Sequence, residues 1–169
     1  MFEDRFQLAF AAGTHVLLFH CARQQHIPEM PSGKVMPKSW LKPEFRAPYR
    51  IILNSPGARE VVHEADALVL EQRPVFKQAK ERLEEGLDGP IGSAGTKIGG
   101  VPRWAQPPFY PRCPCGAPMG FIMQVPAVGL PGWKTKRRSS LSFAGGLNGF
   151  VFACTAQSNP YAAMLVVQR

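Results

Sequence analysis

The pattern of apolar and polar positions gives the chain two textures. Up to about residue 90, short apolar runs alternate with stretches of helical period; beyond residue 95, apolar alternation of period two dominates. Residues 5–11 (RFQLAFA) and 14–21 (THVLLFHC) read as two strands, and the Ala12-Gly13 turn between them predicts a hairpin. Residues 49–53 (YRIIL) read as another strand. In Asn54-Ser55-Pro56, Ser55 suits a helix N-cap and Pro56 the first helical position, which predicts a helix to about residue 67. Residues 68–71 suit a short strand. A second helix is predicted over 74–87 (PVFKQAKERLEEGL). Val75, Phe76, Ala79, Leu83 and Leu87 recur there at three- and four-residue spacing, with Lys77, Lys80, Glu81, Arg82 and Glu84 on the solvated face. Gly86 and Gly89-Pro90 stop it, and residues 88–95 (DGPIGSAG) have the composition of a hinge.

Three strands are predicted after that point: 119–125, 149–154 and 163–168. In the first, Phe121, Met123 and Val125 alternate with Ile122 and Gln124; in the second, Phe150, Phe152 and Cys154 share a face. Their short connections make an antiparallel meander the economical arrangement. The expected fold is therefore α+β, mostly antiparallel β-sheet with one or two short helices from the N-terminal half. It forms a single domain over 1–169, with strands and helices in 1–90 and a β-rich region in 91–169. Within the N-terminal part, between the strands at 14–21 and 49–53, residues 22–48 are rich in proline and basic side chains, and Trp40 and Phe45 suggest a loop docked on the body.

Composition sharpens this picture. The 16 Gly and 17 Pro among 169 residues favour turns and irregular connections over long helices. No apolar run reaches the roughly 20 residues that span a bilayer, and the N-terminus lacks the basic and apolar regions of a signal peptide, so a cytoplasmic location is expected. The net charge of +8 favours an acidic partner, protein or nucleic acid. In such a setting Cys21, Cys113, Cys115 and Cys154 are expected to be thiols or metal ligands rather than disulfides.

The densest group of unusual residues lies between 95 and 124: Gly95-Thr-Lys-Ile-Gly-Gly-Val-Pro-Arg-Trp-Ala-Gln106, then Cys113-Pro-Cys-Gly116, then a strand ending at Gln124. Paired glycines permit positive φ or close backbone approach, and Trp104 is a large amphipathic anchor. With the later GFVFAC and terminal VVQR, this order resembles the YwqG-like bacterial proteins and is similar to the programmed cell death protein 2 superfamily. The likeness covers residues 95–169. It implies a β-rich fold and protein or peptide binding, with some bacterial members standing among toxin–immunity systems and eukaryotic ones acting as chaperones for a ribosomal protein. It brings no catalytic residues. The eukaryotic relatives carry Cys-x-x-Cys-Gly and further cysteine pairs of the zinc-knuckle kind. Here the spacing is Cys-x-Cys, so no cofactor is expected. A zinc site is the alternative; it would use Cys113, Cys115 and Cys154, completed by Cys21, His20 or His26.

Two readings stand for the remaining candidates. Trp104 and Gln106 either build the sheet or line a groove that takes an extended peptide. Lys134, Lys136, Arg137 and Arg138 are either a solvated loop or the contact for an acidic partner. His15, His20, His26 and His63 are scattered, and no carboxylate or serine stands in a recognisable catalytic setting. The glycines of 92–100 lack the lysine–hydroxyl ending and following helix of a phosphate loop. The expectation is thus a non-enzymatic protein-binding domain, an immunity protein that occludes a toxin with an acidic surface. A dedicated chaperone and an RNA-binding protein are the alternatives. Aromatics are not interleaved with the basic run as a base-stacking platform needs.

Overall fold

The computed structural model of the 169-residue chain describes residues 15–20, 32–45, 49–54, 81–86, 89–126 and 148–168. Three β-sheets form among them. Strands β1 (His15–His20) and β2 (Tyr49–Asn54) pair antiparallel, as do β3 (Glu84–Gly86) and β4 (Gly89–Ile91). The third sheet has the order β5-β6-β7-β8, all antiparallel, from β5 (Lys97–Ile98), β6 (Met119–Val125), β7 (Asn148–Cys154) and β8 (Ala163–Gln168). Helical structure among the described residues is confined to single 3₁₀ turns at Ser32–Lys34 and Lys38–Leu41. No helix among them is long and apolar enough to cross a membrane.

The four-stranded sheet is the organising element because its central strand is apolar on both sides. In β7, Val151 and Ala153 face one core and Phe150, Phe152 and Cys154 the other, and each is at most 1% exposed. The first core adds Ile122, Val125, Ala163 and Leu165, closed by Ile51 of β2 and Val16 of β1. The second adds Met119, Met164 and Val166, covered by irregular chain that carries Met36, Trp104, Phe109 and Cys113. Strands buried on two faces read as continuous apolar runs, which is why the meander β6–β7–β8 lies where the sequence pattern puts it.

Alternation along β6 is interrupted. Phe121 pairs with Phe152 and Met123 with Val151, so Ile122 is an extra, bulged residue. The bulge moves Phe121 to the second core while Met123 and Val125 stay at the first, correcting the expected common face for these three. The Ile122 carbonyl accepts the Gly99 N–H at 2.7 Å, and this contact joins the bulge to the turn after β5.

The helix expected over 74–87 is corrected over its described part. Residues 81–83 are irregular and Glu84–Gly86 is a strand, paired antiparallel with Gly89–Ile91. Polarity runs opposite to the helical reading: Leu83, assigned to the apolar stripe, is 54% exposed. Glu81, assigned to water, points inward, where its side chain takes hydrogen bonds from Lys97, Val101 N (2.9 Å) and Ser93 N (3.0 Å). The expected hinge likewise becomes β4 and a loop held by Glu81. The other expected helix, the strand at 68–71 and the strand at 5–11 lie outside the described residues; residues 14–21, its expected hairpin partner, supply β1, which pairs with β2. The docked loop takes shape over residues 32–45: Met36 is buried, Trp40 and Phe45 stack at 5.6 Å, and Val35 forms a parallel bridge with Arg112.

Candidate functional site

The chain between β5 and β6 is irregular, and buried glutamines hold it to the sheet. Gln124, at the end of β6, accepts the Arg103 N–H at 2.8 Å and donates to the Gly95 carbonyl at 2.8 Å. Gln168, at the end of β8, accepts the N–H groups of Ala105 and Gln106, both at 3.1 Å, and donates to the Pro107 carbonyl at 3.2 Å. An amide carries an acceptor and a donor, so each side chain stands in for a missing strand. Upstream, Gly99 and Gly100 take φ values of 72° and 74°, and a side chain at Gly100 would run into the Glu81 carboxylate.

Trp104 follows from this lacing. It is 8% exposed, stacked on Phe152 at 5.8 Å and tilted on Phe150 at 4.7 Å, with Tyr110 edge-on at 5.5 Å. Its indole N–H donates to the Tyr110 hydroxyl at 3.3 Å. Trp104 therefore builds the second core. Gln106, two residues on, is exposed, and its side chain borders a groove of about 300 Å³ where the chain crosses the end of β8. Pro107 and Phe109, with Val166, Val167 and Gln168 of β8, complete its lining. The Lys34 ammonium lies 5.8 Å from the centre of the Phe109 ring and 3.5 Å from the Pro108 carbonyl, which places a cation beside the aromatic wall. Lys134, Lys136, Arg137 and Arg138 lie outside the described residues.

The cysteines converge on the second core's edge. Residues 113–117 form a tight turn in which Gly116 N donates to the Cys113 carbonyl and Cys113 N to the Ala117 carbonyl, both at 2.9 Å. Gly116 has φ 93°, a conformation that suits glycine. Pairing of Met119 with Cys154 across β6 and β7 sets the end of β7 beside this turn. The Cys113, Cys115 and Cys154 sulfurs consequently lie within 4.8 Å of one another, with Cys115 and Cys154 at 3.5 Å. The Ser158 hydroxyl, in the turn after β7, is 3.6 Å from the sulfurs of both Cys113 and Cys154.

Environment separates the thiols. Burial pushes Cys113 up to about 11, whereas Cys115 falls to about 6, favoured first by the Ser158 hydroxyl and then by the Ala117 N–H and Cys113. Cys115 is exposed, whereas Cys113 and Cys154 are buried. Three convergent sulfurs fit three of the four positions of a tetrahedral zinc ion; Cys21, named from sequence as a completing ligand, lies outside the described residues. Sequence order singled out the three cysteines. Ser158 was missed, since only the turn after Cys154 brings it back, and so was Phe109. The glutamines left a signal, a lone amide closing an otherwise apolar strand.

Comparison with protein-family models, with curated proteins and with solved structures returned no match.

Proposed function

We propose that this chain is a non-enzymatic protein-binding domain, an immunity protein that occludes a cognate toxin, and that the groove at the end of β8 receives an extended segment of that partner. The observation that carries the reading is the groove itself: an exposed Gln106, a proline and an aromatic face the last residues of a strand that ends the sheet order among the described residues. Such a site offers apolar walls with few polar groups, the usual make-up of a peptide-binding cleft. Lys34 beside Phe109 and the net charge of +8 favour an acidic partner. The resemblance of residues 95–169 to the YwqG-like bacterial proteins supports the same choice.

The test is calorimetric titration of the purified chain with the product of its neighbouring gene. Gln106→Trp fills the groove from an exposed position, so it should weaken binding about ten-fold or more, or about 1.4 kcal/mol, with the thermal midpoint unchanged. An absence of binding by the wild-type chain would remove the immunity reading. Binding that tolerates Gln106→Trp would move the contact elsewhere.

A further inference from the structure

At one end of the second core two tight turns face each other, one after each of two neighbouring chain segments. The first is Cys113-Pro114-Cys115-Gly116-Ala117. The second begins at Cys154, where Gln157 N donates to the Cys154 carbonyl at 3.0 Å and Gln157 takes φ 49°, which folds Ser158 back toward its own cysteine. Thr155 ties the two together, its N–H and hydroxyl reaching the Pro118 carbonyl at 3.2 and 2.9 Å. We propose that Cys113, Cys115, Cys154 and Ser158 bind a single zinc ion, with three sulfurs and the serine oxygen at the four vertices.

The separations carry the assignment. Zinc bonds of about 2.3 Å to sulfur and 2.0–2.2 Å to oxygen set tetrahedral edges of about 3.8 Å between sulfurs and about 3.6 Å between sulfur and oxygen. Ser158 Oγ stands 3.6 Å from two of the sulfurs, and Cys115 and Cys154 are 3.5 Å apart. A water at the fourth vertex would hold the hydroxyl one hydrogen bond, about 2.8 Å, further out. The donors also select the metal, because thiolates prefer zinc to calcium or magnesium. The Cys-x-Cys spacing, narrower than in a usual knuckle, is accommodated because the third sulfur comes from β7, whose register with β6 is fixed by the core. Cys115 and Ser158 are exposed, so the ion has an entry path, while Cys113 and Cys154 anchor it from within.

Zinc and cobalt(II) ions, added to the full-length chain, test the site. Protein purified without chelators should carry one zinc per chain by mass spectrometry of the metal. Cys115→Ser and Ser158→Ala, both at exposed positions and checked for folding by far-ultraviolet circular dichroism, should weaken zinc about ten-fold or more in competition with a chromophoric chelator. With cobalt(II), the sulfur-to-metal absorption of the wild type should correspond to three thiolates and that of Ser158→Cys to four. A wild-type chain that neither retains zinc nor takes it up overturns the proposal. So does a Ser158→Ala variant of unchanged affinity, or a Cys21→Ser variant that loses the metal.

Discussion

Gln124 shows how much one buried amide can hold. Its side chain pairs with the backbone of Arg103 and Gly95, groups that no strand supplies with partners. Gln124→Ala should therefore cost about 2–3 kcal/mol in urea unfolding, since buried donors and acceptors are stranded as well as one hydrogen bond lost. Glu81 carries a different dependence. Burial raises its pKa, but the hydrogen bonds from Lys97, Val101 and Ser93 and the charge of Lys97 outweigh that, leaving it below its ordinary 4.5. A carboxyl depressed in the folded state stabilises fully above its unfolded value, and that contribution fades as pH falls through the folded one. Stability should thus drop on acidification below about 4.5 in the wild type. Glu81→Gln should abolish this part of the slope, measured as the urea midpoint against pH.

Among the elements, the hairpin β3–β4 departs most from its sequence pattern. Helical spacing of apolar residues records only where side chains could share a stripe; Leu83 in that stripe faces water, and Glu81 off it meets Lys97. The strand assignment has a consequence opposite in sign to the helical one. Glu85 is exposed opposite Pro90, so Glu85→Thr should raise the free energy of unfolding in urea slightly, by up to about 1 kcal/mol, through strand preference. In a helix the same change would lower it. The meander was legible for the reverse reason: β6, β7 and β8 bury both faces, and their runs are too apolar to serve elsewhere. The bulge at Ile122 was not legible, because an extra residue leaves an apolar sequence looking regular. Of the candidate metal site, the three cysteines stood out in the sequence, but Ser158 becomes visible only once the turn after β7 is formed.

At the scale of the whole molecule, the two cores share a wall. Trp104 anchors the second of them, and Trp104→Ala should cost about 3–5 kcal/mol and abolish the near-ultraviolet dichroism of the stacked rings. Removal of zinc, where bound, should lower the thermal midpoint further, because the ion ties the edge of the same core. The shared wall is β7, whose apolar side chains lie within one core or the other and whose backbone is paired on both sides. Deuterium can reach its amides only when the sheet comes apart and both cores open together. The exchange rate of Phe150–Cys154 is then a gauge of global unfolding. A ligand bound at the groove or at the cysteines should slow that rate by the same factor as it shifts the unfolding equilibrium, however far its own contacts lie from the strand.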